Sequence, residues 1–169
     1  MTSMANAAPI PGKMCLVTGA TSGIGHETAL GLARAGGRIG IVGRDAGRTD
    51  ETASRIRAAV PGAVIDVFLA DLSSQAEIRR LAAEVRALYP RLDVLVNNAG
   101  AIFDARYLTV DGLERTWALD HLAYMQLTLE LLGLMKASAP ARIVNVASMA
   151  HKRGRIDLGI STGRAVTGL

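Results

Sequence analysis

Five short apolar runs, at residues 14–18, 38–42, 64–69, 94–96 and 142–147, contain no regular polar alternation. Strands that read this way are covered on both faces, as in a parallel sheet. The stretches between them follow the helical period instead. Ile24, Thr28, Gly31, Leu32 and Ala35 fall on one face of the first, Ala53, Ile56 and Val60 on the second, and Ile78, Leu81, Ala82, Val85 and Leu88 on the third. A longer helix is expected over about residues 110–136. It carries Leu113, Trp117, Leu122, Leu127, Leu131 and Met135 along one side, with Tyr124, Met125, Leu129 and Leu132 widening the apolar surface.

The breaks between these stretches carry stop signals. Gly36 and Gly37 end the first helix, Pro61 and Gly62 the second and Pro90 the third, while Ser73 and Asp111 are candidate N-caps. Strand, helix and strand repeated in this way require right-handed crossovers. The expected fold class is therefore α/β: a doubly wound parallel sheet, Rossmann-like, in three layers. Residues 1–12 read as a flexible leading segment, 13–158 as one domain and 159–169 as an irregular tail.

Composition narrows the class. The chain has 169 residues, half of them hydrophobic and only 4% aromatic, which suits close packing of helices on a sheet. Its net charge of +4 comes from basic residues, mostly arginines, scattered without a run or aromatic interleaving, so no nucleic-acid footprint emerges. A single cysteine, Cys15, sits within the first apolar run and reads as a small buried hydrophobe suited to a reducing compartment. Nowhere do 18 apolar residues run together, and a cytoplasmic location without a membrane partner is the expectation.

The chemistry concentrates where apolar runs end. The first runs into "TGATSGIG", residues 18–25, and then into a helix. Glycines there permit a tight turn and close approach of a ligand to a helix start, whose unpaired N–H groups and partial positive charge suit a pyrophosphate. No Lys follows the last glycine, which disfavours a phosphate-transferring loop. The second run ends in "IVGRD". A carboxylate at such a tip holds a free ribose 2′-hydroxyl and an arginine suits a 2′-phosphate, so Gly43 followed by Arg44 favours NADP over NAD. Asp45 is the rival, although a helix N-cap would already occupy it. Asp71, in "ADLSS", is either an acceptor for an adenine amino group or a cap or turn residue. The "NNAG" at residues 97–100 leaves room for a flat ligand and offers amides to neighbouring strands. A methyltransferase-like Rossmann domain also uses such a glycine turn, but Arg44 and "NNAG" argue against it.

Together, "TGATSGIG", "DL", "NNAG" and the "NVAS" ending the fifth run resemble the short-chain dehydrogenase/reductase family across nearly the whole chain. The stretches "LDHLAYMQLT" and "NVASMAHKRGRI" resemble its retinol dehydrogenase-like branch. The resemblance implies an oxidoreductase that moves a hydride between a nicotinamide and a carbonyl or alcohol substrate. It implies that Gly19, Thr21, Ser22, Gly23, Ile24 and Gly25 form the phosphate turn and that Arg44 selects NADP. Asp71 and Leu72 would contact the adenine, Asn98, Ala99 and Gly100 would lie along the cofactor, and Ser148 would be the catalytic serine. It also makes the side of residues 110–136 a candidate homo-oligomer surface.

Two departures stand out. Asp120 occupies the position of the family's catalytic asparagine, keeping an acceptor but losing the amide donor. The family's Tyr and Lys, four residues apart and beyond the serine, have no counterpart: Tyr89, Tyr107 and Tyr124 all precede Ser148, and the one Lys after it is Lys152. His151 beside it reads as part of a solvated loop. Losing a positioned proton donor costs about 10²- to 10⁴-fold. The chain is accordingly expected to be C-terminally truncated, lacking the family's last strands and helices, and inactive alone, the alternative being a non-catalytic dinucleotide-binding fragment or pseudoenzyme.

Overall fold

The computed structural model of the chain describes residues 9–149 and Lys152. His151 and the tail expected at 159–169 lie outside the described residues. The apolar runs form strands β1 (Met14–Thr18), β2 (Arg38–Gly43), β3 (Ile65–Leu69), β4 (Val94–Asn97) and β5 (Arg142–Asn145). They build one parallel sheet in the order β3-β2-β1-β4-β5, with Leu16 of β1 opposite both Gly40 and Leu95. Helices α1 (Gly23–Arg34) and α2 (Ala46–Ala59) join the first three strands, α3 (Gln75–Leu88) leads to β4, and α4 (Arg115–Trp117) and α5 (Ala123–Ala137) lead to β5. This is the doubly wound, three-layer Rossmann-like architecture, and its strand order reverses between β1 and β4.

Alternation along each strand divides the core. Leu16, Val42, Phe68 and Leu95 join Ile78, Leu81 and Val85 of α3 and Leu127, Leu131 and Met135 of α5 on one side of the sheet. Cys15, Val17, Ile39, Ile41 and Val96 join Ala29, Leu30 and Ala33 of α1 and Ala53 and Ile56 of α2 on the other. Cys15 is a buried free thiol that burial pushes up to about 12, with the Asp93 carboxylate adding to the rise, so it packs as the expected small hydrophobe.

The first helix buries a different face from the expected one. Gly25, Ala29, Leu30 and Ala33 face the sheet, while Ile24 stands 65% exposed. Small residues win because α1 packs closely on β1 and β2, and at Gly25 an added side chain would meet Gly19 O and Asn98 Nδ2. In α3 the expected residues Ile78, Leu81, Ala82 and Val85 are buried, but Leu88 is exposed and Tyr89 takes its place in the core.

Nor is the long helix continuous. Residues 110–114 form a turn, α4 is a single turn, and a π-helical turn at Ala118–Leu122 precedes α5. The wider π turn shifts the register, so Ala118 and Ala123 are buried and Trp117 is exposed, whereas Leu127, Leu131 and Met135 hold the expected face. The caps also differ. Ser74 rather than Ser73 caps α3, accepting from Glu77 N–H. Asp111 starts no helix, and instead its Oδ2 accepts the Gln75 N–H at 2.8 Å across the loop.

The strand N-terminal edge is closed by ion pairs. Asp93, almost fully buried, accepts from Lys13 Nζ at 2.8 Å, Arg91 Nε at 2.9 Å and Met14 N–H at 2.9 Å. Arg38 grips Asp66 with two bonds of 2.7 and 3.0 Å, and the buried Tyr89 hydroxyl donates to the same carboxylate at 2.8 Å. Ile10, ahead of β1, donates to Ala35 O at 2.8 Å and packs against the core. Among the described residues no helix is long and apolar enough to cross a membrane.

Candidate functional site

An open groove runs along the C-terminal ends of the strands, across the point where the strand order reverses. Its walls bring together all the candidates read from the sequence: Gly19, Thr21, Ser22, Gly23, Ile24, Gly25, Arg44, Asp71, Leu72, Asn98, Ala99, Gly100, Asp120 and Ser148. They come from six separate chain segments. Only a parallel sheet with helices returning on both faces delivers them to one edge.

The centre of the groove is the start of α1. Ser22 is extended at φ −161° and places no side-chain cap on this end, although Asp45, Ser74 and Glu114 each cap their own helices. The N–H groups of the first turn therefore keep their positive character for a guest. Gly19 at φ 63° and Gly23 at φ 52° hold left-handed turns that residues with side chains rarely adopt. A side chain on Gly25 would collide with Gly19 O and Asn98 Nδ2, so the turn, the helix and β4 close on one another with no space to spare.

Asn98 is the clamp behind this closure. Its Nδ2 donates to Thr18 O at 2.9 Å and Gly19 O at 3.2 Å, while its own N–H and that of Ala99 donate to Thr18 Oγ1. The Asn98 side chain thus holds the glycine turn, and the surface it offers a ligand is mainly backbone. Asn97 is fully buried one residue earlier, and its Nδ2 donates to Thr128 Oγ1 at 3.1 Å and Asn145 Oδ1 at 2.8 Å, tying β4 to α5 and β5. The amide-to-neighbour bonds expected of "NNAG" are present.

At the tip of β2, Arg44 is exposed in the groove, and Arg48 joins it from the first turn of α2. Sequence reading missed Arg48; its signal is the spacing of four from Arg44 across a helix start. Asp45 turns away to accept the Arg48 N–H at 2.8 Å, which is the cap reading rather than the ribose one. Asp71 Oδ1 accepts from Ser73 N–H at 2.9 Å and Ser73 Oγ at 2.7 Å. Burial pushes its carboxyl up, but these bonds, with Arg115 and Arg44 nearby, outweigh that and hold it below the ordinary value. Asp71 is therefore a turn residue that stays ionised at the groove wall.

Asp120 lies in the π turn and accepts the Ala101 N–H at 3.0 Å, fixing the loop after "NNAG". Burial raises its carboxyl above the ordinary range despite that bond, and Glu114 adds to the rise. Ser148 lines the groove just past β5, and Tyr124, read from the sequence only as apolar surface, lines it from α5. Burial and then the Asp120 charge push the Tyr124 phenol up to about 12, which makes it a poor proton donor near neutrality. His121 also lines the groove and stacks on Trp117, with ring centroids 4.2 Å apart. Among the described residues no cluster could hold a metal ion.

Comparison with known proteins agrees with this fold. The family model described as short chain dehydrogenase matches residues 13–160. The chain belongs to the short-chain dehydrogenase family. It is 43% identical over 150 residues to retinol dehydrogenase 13 of Homo sapiens, covering 89% of this chain and 45% of that protein. Among solved structures it resembles the Pseudomonas aeruginosa RhlG/NADP active-site complex, with a TM-score of 0.74 and 39% identity over 84% of this chain and 57% of that one. A 3-oxoacyl (acyl-carrier-protein) reductase from Agrobacterium tumefaciens with NADP bound gives a TM-score of 0.74 and 31% identity over 86% and 56% of the two chains. The chain spans about half the length of the curated relatives it matches.

Proposed function

We propose that the chain is the dinucleotide-binding part of an NADP-dependent oxidoreductase. The observation that carries this is the α1 start: a helix end without a side-chain cap, pressed by Gly19, Gly25 and Asn98 into a cradle open to the groove. A pyrophosphate fits its N–H groups and partial charge. Arg44 then meets a 2′-phosphate at the tip of β2, and Asp71 and Leu72 flank the adenine. Asn98, Ala99 and Gly100 lie along the remaining length toward Asp120 and Ser148.

Bound there, NADP(H) supplies the hydride exchanged with a carbonyl or alcohol carbon. The chain's part is to hold and orient. Ser148 hydrogen-bonds the substrate oxygen, and Asp120, standing where the family has asparagine, keeps the loop at Ala101 in place and retains an acceptor. Within these 169 residues no tyrosine follows Ser148, and Tyr124 is a weak acid. The chain alone is therefore proposed to bind nucleotide without appreciable turnover. The exposed side of α5 at Met125 and Leu129 is proposed as a surface for a second copy.

Titration with NADPH and NADH, followed by nicotinamide fluorescence, tests the reading. Saturable binding with NADPH the tighter ligand is expected; no saturable binding of either overturns it. Carbonyl reduction assayed on the same sample distinguishes binding from turnover.

A further inference from the structure

The tip of β2 is occupied in a way that Arg44 does not explain. Building a side chain on Gly43 would drive its first carbon into Thr49 Oγ1, with Thr21 Cγ2 at 2.9 Å and Thr49 Cβ at 3.3 Å. Thr49 is fully buried, and it is anchored: its N–H and its hydroxyl both donate to Asp45 O, at 3.0 and 2.6 Å. A β-branched side chain in a helix has few rotamers to escape into. Asp45 is itself held by the Arg48 N–H.

We propose that Thr49 is a positioning residue of the nucleotide's ribose site: by filling the space beside Gly43 it bars position 43 from carrying the carboxylate that would hold a free 2′-hydroxyl. A ribose with a free 2′-hydroxyl is held by a carboxylate at the strand tip. Here that carboxylate has nowhere to stand: position 43 is closed by Thr49 Oγ1, with Thr21 Cγ2 at 2.9 Å beside it, and Asp45 is committed to the helix start. Preference for a 2′-phosphorylated ribose then comes from Arg44, and Thr49 bars the change at position 43 that would reverse it. Thr49 does not line the groove, so its action is through Gly43. The proposal rests on the nucleotide reading above, and its test separates the two.

The test is a cycle on the full chain: Gly43→Ala, Gly43→Asp, Thr49→Ala and the double variants, read by thermal unfolding without nucleotide and by NADPH and NADH titration. Gly43→Ala is expected to lower Tm in the wild-type background and to lower it much less beside Thr49→Ala. Gly43→Asp alone should gain little for NADH. Joined to Thr49→Ala, it should shift the NADPH-to-NADH affinity ratio toward NADH by about tenfold or more, equivalent to ~1.4 kcal/mol. Thr49→Ala alone should leave the ratio unchanged, because Arg44 remains and no acid has been added. The proposal is overturned if Gly43→Asp shifts the ratio as far alone as in the double variant, or if Gly43→Ala costs the same Tm in both backgrounds. Wild-type chain that binds neither nucleotide overturns the proposed function and this positioning role together, while the Tm cycle still reports whether Thr49 fills the space.

Discussion

The two edges of the sheet treat polar groups in opposite ways. At the strand N-terminal edge, Lys13, Arg91 and the Met14 N–H converge on Asp93, while Arg38 and Tyr89 converge on Asp66. At the C-terminal edge, α1 begins without a side-chain cap, glycines replace side chains, and Arg44 stands exposed in the groove. One edge has its hydrogen bonds made internally and contributes stability. The other leaves donors and charge open on the groove, where the strand order reverses and open α/β sheets generally bind their ligands.

Substitutions at each edge should therefore separate stability from binding. The largest effect is expected of Gly25→Ala: its new carbon meets Gly19 O and Asn98 Nδ2, so nucleotide affinity should fall about 100-fold or more, ~2.7 kcal/mol, with a lowered Tm. Retained tight binding in that variant would show that the cradle is not the phosphate site.

Asp93→Ala should do the reverse. Removing a buried ion-pair partner typically costs about 3–5 kcal/mol, but Lys13 and Arg91 are 35% and 44% exposed and can reach water, which reduces the expected loss. About 2 kcal/mol is the expectation, measured by denaturant unfolding, with nucleotide affinity unchanged in the folded fraction. Burial alone would raise the Asp93 carboxyl, yet Arg91, Lys13 and the Met14 N–H together lower it from 3.8 to about 2. Its contribution is thus present above pH 3.8 and lost as pH falls toward about 2. Wild-type stability should drop across that window, and Asp93→Ala should flatten the drop.

Smaller still, Arg44→Ala should weaken NADPH about tenfold through loss of one charge-assisted contact while leaving NADH nearly unchanged. An unaltered ratio would remove Arg44 from the ribose site. The smallest expected effect on stability is at Leu129, 61% exposed on α5. Leu129→Glu should change unfolding free energy by less than about 0.5 kcal/mol, while sedimentation shows reduced self-association if this face meets a second copy.

Strand positions and the groove's membership were legible because both follow from local rules. Unalternating apolar runs mark strands buried on both faces, and ligand-facing residues of such a sheet lie where those runs stop. The face of α1 was not legible. Ile24, Leu32 and Ala35 make a better apolar stripe than Gly25, Ala29 and Ala33, and the choice is made by how closely α1 packs on β1 and β2 and, at Gly25, on Asn98, which periodicity does not encode. The break at Ala118–Leu122 escaped notice for a related reason: a π turn leaves the composition helical and changes only the register.

By itself, then, the sequence determined a parallel α/β sheet, its glycine turn and the strand ends that carry candidate chemistry, because hydrophobic period and turn residues act over a few neighbours. Packing in three dimensions decided that the small residues of α1 face β1 and β2, that Arg48 joins Arg44 at the groove, and that Thr49 fills the space at Gly43. Those outcomes depend on distances between segments remote in the chain or on the direction a side chain takes, and packing sets both.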